Sequence, residues 1–166
     1  GPMPLIMGLE SGMTFAERKA LTAAAANYGT PMLWVNGISA DPPLGRDGDG
    51  WAEPEGGWKG TLVFDDDALT KRKEELAPKG TVDLVVIGCP QASLEEIRLT
   101  AAAVRAHAEM GSRIPNGRLW MFTSKENHAL AAADGSLAML EESGAVVLKD
   151  TCPEVTPYNR NRFNHL

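Results

Sequence analysis

Cysteine and basic charge are scarce in this chain of 166 residues, and long apolar runs are missing altogether. Two cysteines cannot build a disulfide scaffold. They are also too few for a structural zinc site, and neither lies in a Cys-x-x-Cys pair. No run approaches the roughly 20 apolar residues that cross a bilayer, so no membrane partner is expected. No charged-then-apolar leader precedes the domain, which predicts a cytoplasmic location. Lysine and arginine total 16 against 22 acids, a formal charge of −6. The densest basic stretch, Lys71-Arg72-Lys73, runs straight into Glu74-Glu75 and reads as a solvated helix face. The other, Arg160 to Arg162, is too short for a basic footprint. Nucleic acid is therefore excluded as a partner. No Gly-x-Ser-x-Gly elbow, dinucleotide-binding glycine motif or phosphate-cradling lysine loop is present.

What remains is an ordinary globular mix, 43% hydrophobic and 23% charged. Its length is enough to bury a core. Gly1-Pro2 reads as a tag scar, which leaves residues 3–166 as one expected domain. Thr14 with Glu17 is a capping box that opens a helix from Ala16 to Asn27. Pro31 to Asn36 reads as a buried strand. Residues 37–60, rich in proline, glycine and acids, read as a long loop. Asp47-Gly48-Asp49 within it departs from a calcium loop, because Trp51 and Ala52 occupy positions that need a ligand and a glycine. Thr61 to Phe64 is expected as a short strand and Asp65 to Leu76 as a helix. Strands follow at Val82 to Ile87, Arg118 to Thr123 and Ala145 to Leu148. Helices separate them, one opened by the Ser93–Glu96 capping box, the other running from Ser124 to Ser143. Trp34 and Trp120 are expected in the core. Continuous apolar strands joined by helices predict an α/β fold, a three-layer α/β/α arrangement around a mostly parallel sheet.

In an open parallel sheet, ligands bind beyond the carboxyl ends of the strands. Both cysteines fall there. Cys89 comes two residues after Ile87 and just before a capped helix; Cys152 comes four residues after Leu148. Each is followed by proline. Two thiols from separate parts of the chain can therefore face one crevice, although a buried cysteine is more often inert packing. His107 and His128 lie within expected helices and look outward, and His165 is near the end, so no ligand pair has zinc spacing. Three readings stay open at this point: a metal-ligating pair, a thiol redox pair, and a non-catalytic binding module with packed cysteines.

Val82-Asp83-Leu84-Val85-Val86-Ile87-Gly88-Cys89-Pro90-Gln91-Ala92-Ser93, together with Lys149-Asp150-Thr151-Cys152-Pro153-Glu154-Val155-Thr156, resembles the aconitase X family. This is the large-subunit-type catalytic region of the aconitase superfamily. Met7-Gly8-Leu9 through Trp34-Val35-Asn36-Gly37-Ile38 is similar to it as well. The resemblance implies an iron–sulfur hydro-lyase that dehydrates cis-3-hydroxy-L-proline or mevalonate 5-phosphate. By motif match, Cys89 and Cys152 are two of the three cysteines that hold the family's cluster, and the third lies outside this stretch. Ser93 and Thr151 are the neighbouring candidates for orienting substrate. The family's Gly-Cys-Pro motif usually continues with histidine, where this chain has Gln91. The implied partners are the remainder of the large subunit and a small swivelling subunit or domain. On this reading the chain is an excised part of a larger enzyme and is inactive alone.

Overall fold

The computed structural model describes residues 3–9, 12–40, 45–47 and 50–156. Gly1-Pro2, Asp49, Arg160, Arg162 and His165 lie outside them. The chain groups into two compact units, Gly1–Ala77 and Pro78–Leu166.

The first unit holds β1 (Leu5–Ile6), α1 (Phe15–Asn27), β2 (Trp34–Val35), β3 (Arg46–Asp47), β4 (Gly50–Trp51) and α2 (Asp66–Leu76). Strands β1 and β2 pair in parallel, and β3 with β4 forms an antiparallel hairpin inside the expected long loop. Helix α1 starts as predicted. The Thr14 hydroxyl accepts the Glu17 backbone N–H at 3.2 Å, and the Glu17 carboxylate accepts the Thr14 N–H at 2.7 Å. That N–H, and then the Thr14 hydroxyl, hold the Glu17 carboxyl below its ordinary range. Asp65 caps α2 by accepting the Ala68 N–H at 2.9 Å. The expected strand at Thr61 to Phe64 does not form. Leu62 is 99% exposed, and Val63 and Phe64 are exposed with it. An apolar run becomes a strand only where another strand satisfies its backbone groups, and among the described residues none pairs with it.

The second unit holds β5 (Val85–Ala92), α3 (Leu94–Glu109), β6 (Leu119–Thr123), α4 (Lys125–Asp134), α5 (Ser136–Glu142) and β7 (Val146–Lys149). The sheet order is β5-β6-β7, all parallel. The α/β class and the parallel sheet agree with the sequence. Crossovers between parallel strands are right-handed as a rule, and two in one direction carry their helices to one face of the sheet. Accordingly α3, α4 and α5 pack together, with α3 on β5 and α5 on β7. Ile97, Ala101 and Val104 of α3 meet Leu137 and Leu140 of α5 and Leu119 and Met121 of β6, all buried. Phe122 is fully buried at the alternate position, its ring 6.5 Å from that of Trp120. Trp120 and Trp34 are only half-buried, not core residues as expected. The Trp120 ring N–H donates to the Gly117 carbonyl at 3.0 Å, which keeps the indole near the sheet's rim.

The single helix expected from Ser124 to Ser143 is two. Gly135 takes φ 85°, a left-handed conformation that ends α4. The Asp134 carboxylate then accepts the Ser136 N–H at 3.0 Å and the Ser136 hydroxyl at 2.6 Å, which starts α5.

Candidate functional site

The carboxyl edge of the β5-β6-β7 sheet collects both Cys-Pro motifs. Strand β5 does not stop at Ile87 as expected; it continues through Gly88-Cys89-Pro90 to Ala92. Ile87 pairs with Met121 and Ala92 with Thr123, so five residue steps on β5 run against two on β6. The surplus leaves the ladder as a bulge that contains Gly88, Cys89, the cis Cys89–Pro90 peptide and Gln91. Gly88 has φ 139°, and a Cβ there would lie 2.5 Å from Phe122 Cβ and 2.8 Å from the Phe122 backbone N and O. Only glycine lets the chain pass this close to β6 before it bulges.

Ala92 closes the bulge. It is buried, and its carbonyl accepts the Thr123 hydroxyl at 2.6 Å and the Asn127 side-chain amide at 3.3 Å. Beyond β7 the chain turns at Asp150, with φ 55°. The Asp150 N–H donates to the Thr123 carbonyl at 3.0 Å, and its carboxylate accepts the Lys125 N–H at 2.9 Å in the first turn of α4. Cys152 begins a compact turn in which its carbonyl accepts the Thr156 hydroxyl at 2.8 Å and the Thr156 N–H at 3.2 Å. The Gln91 side-chain amide donates to the Thr151 carbonyl at 3.0 Å, joining the two cysteine-bearing segments.

Cys89 is exposed, Cys152 is half-buried, and neither is in a disulfide. The Ser93 hydroxyl is engaged in both directions by its capping box, accepting the Glu96 N–H at 3.3 Å and donating to the Glu96 carboxylate at 2.9 Å. The Thr151 hydroxyl lies 3.4 Å from that of Thr156. His107 is exposed on α3 and His128 half-buried on α4. Helices α3 and α4 both begin at this edge, where their positive ends favour negative charge. Among the described residues, no three His, Cys, Asp or Glu side chains cluster to hold a metal. Sequence reasoning passed over Thr123, Asn127 and Asp150, which pin the edge together. An aspartate between a strand and a Cys-Pro pair was a usable turn signal; the partners of Thr123 and Asn127 had none.

The family described as the third domain of aconitase X matches residues 82–166, just over half of the chain, including both Cys-Pro motifs. The chain belongs to the aconitase X family. Its curated relatives include the phosphomevalonate dehydratase large subunit of Methanothermobacter thermautotrophicus, 31% identical over 142 residues, covering 85% of this chain and 32% of that protein. The cis-3-hydroxy-L-proline dehydratase of Pseudomonas aeruginosa is 31% identical over 158 residues, covering 92% of this chain and 26% of that protein. The chain thus spans about a third or less of their length. In fold it is similar to the holo form of Thermococcus kodakaraensis aconitase X, with a TM-score of 0.64 at 22% identity over 90% of this chain and 36% of that one. Within this aconitase X segment, the bulged strand β5, the turn after β7 and both cysteines all lie in the matched third-domain residues.

Proposed function

We propose that this chain is the cysteine-bearing part of an iron–sulfur hydro-lyase that dehydrates a small hydroxy acid. Support comes from one juxtaposition: the two Cys-Pro motifs, 63 positions apart in sequence, lie at one sheet edge and are joined by the Gln91–Thr151 hydrogen bond. Thiolates are the ligands of iron–sulfur clusters, so the donor chemistry of Cys89 and Cys152 fits such a group. Two donors fall short of three, and a chain covering a third of its relatives leaves the third cysteine to the rest of the protein. When bound, the cluster supplies a Lewis-acidic iron that draws electron density from the substrate hydroxyl.

The chain's own residues do the holding. Cys89 and Cys152 are the ligands. Gly88 and the Ala92 clamp fix where the bulge leaves the sheet. Thr151 is the better candidate for orienting substrate, because the Ser93 hydroxyl is already committed to its helix cap. The remaining large-subunit domains and a small subunit complete the enzyme. The substrate class follows the relatives' names, cis-3-hydroxy-L-proline or phosphomevalonate, and both are to be assayed.

Iron and acid-labile sulfide in the full-length protein, purified without oxygen, test this reading. Wild type is expected to carry both, and Cys89→Ser and Cys152→Ser are expected to lose them together with dehydration of either substrate. A folded wild type that takes up no iron after anaerobic reconstitution would overturn it. The isolated 166 residues are expected to show no turnover.

A further inference from the structure

Strands β5 and β7 share no ladder, because β6 lies between them. Their ends are two strand spacings apart, roughly 9–10 Å, and no backbone hydrogen bond of the sheet joins them. A ligand set drawn from both ends needs another connection, since each cysteine sits where its strand has left regular pairing. Cys89 stands in the bulge and Cys152 in the turn beyond Asp150.

The geometry points to Gln91 as a positioning residue that sets the separation of Cys89 and Cys152. It is half-buried, two residues from Cys89, and its amide N–H reaches over the end of β6 to the carbonyl of Thr151, the residue before Cys152. The other anchors hold these ends through β6 and the first turn of α4, with Thr123 meeting both. Thr123 and Asn127 hold the β5 end at Ala92, and Thr123 and Lys125 hold the β7 exit at Asp150. The Gln91 bond ties the two held ends to each other. A carbonyl acceptor requires a donor at this position, which an amide supplies and a carboxylate or thioether does not. This assignment rests on the iron–sulfur reading above for its purpose, but not for its test.

The test uses full-length protein stripped of iron. A short bifunctional maleimide is added at fixed pH, and the Cys89–Cys152 crosslink is quantified by peptide mass spectrometry. Rates are normalised to single-site labelling of each thiol with a monofunctional maleimide. Gln91→Met keeps length and removes the donor; Gln91→Glu keeps shape and places a carboxylate against the carbonyl. Both variants are expected to crosslink about fivefold more slowly than wild type, the change in population when a hydrogen bond of ordinary strength is lost. After reconstitution, both are expected to release iron to a chelator faster by a similar factor, with an altered electron paramagnetic resonance signature. Thermal midpoints within a few degrees of wild type verify folding, and the second variant serves if the first fails to fold. Equal normalised crosslinking in wild type and variants would overturn the assignment whatever the iron content, and so would a wild type that does not crosslink. A wild type that takes up no iron yet crosslinks about fivefold faster than the variants overturns the cluster reading and leaves the Gln91 tether standing.

Discussion

Gly88 is the residue on which the site's backbone most depends. A methyl group there meets the Phe122 backbone at 2.8 Å, and φ 139° is costly for any other residue. Gly88→Ala is expected to destabilise the protein by about 3 kcal/mol, read as a lowered urea midpoint. An unchanged midpoint would contradict this close approach. Asp134 offers a pH test. The Ser136 hydroxyl and N–H, followed by the Arg98 guanidinium at 2.7 Å, lower its pKa from 3.8 to about 2. The folded value lies below the unfolded one, so the stability gained is complete above the unfolded value and disappears as pH falls through the folded one. The gap in unfolding free energy between wild type and Asp134→Asn is therefore expected to be constant above pH 3.8 and to narrow toward about 2. A gap that stays constant through that window would rule this out. At this scale the placing of the two cysteines at the sheet's edge and the Ser93 cap were legible from residue type and neighbours. Gln91 was visible only as a departure from a motif, because its partner is 60 positions away.

Among the elements, helix starts were read best. Thr14, Ser93 and Ser124 cap the helices expected of them, and Asp65, expected as the first helical residue, caps its own, since a cap is made by residues three apart and needs no tertiary partner. Ser93→Ala removes one such cap and is expected to cost about 1 kcal/mol, seen as a lower melting temperature. Iron content of the full-length protein should be untouched by that change if Ser93 acts only as a cap. The misreadings share a cause. The helix from Ser124 broke at Gly135, because a left-handed residue followed by a serine bonded to Asp134 outweighs a run of good helix formers. Thr61 to Phe64 has the composition of a strand and remains unpaired, because pairing is not a property of the segment. Strand β5 ran past its apolar stretch because Ala92, four residues beyond Gly88, re-enters the ladder at Thr123.

On the scale of the second unit, the aliphatic cluster beneath the sheet holds Leu140 and reaches the sheet's carboxyl edge at Ala92. Leu140 is fully buried between α5 and its neighbours, and Leu140→Ala is expected to cost about 3 kcal/mol in unfolding free energy. The thiol edge is built by Gly88, Gln91, Thr123, Asn127 and Asp150 and should keep its normalised Cys89–Cys152 crosslinking rate in that variant. A matching loss there would mean that core and edge are not independent. Among the described residues no helix is long and apolar enough to cross a membrane. The sequence by itself determined the α/β class, the helix starts and the two Cys-Pro motifs, because hydrophobic period, capping and proline act over a few residues. The tertiary structure alone decided that β5 bulges around Cys89, that Thr61 to Phe64 stays unpaired, and that Gln91 reaches Thr151. Each of these depends on which backbone group lies within hydrogen-bonding distance after the chain has folded, and that distance is set by contacts dozens of residues apart.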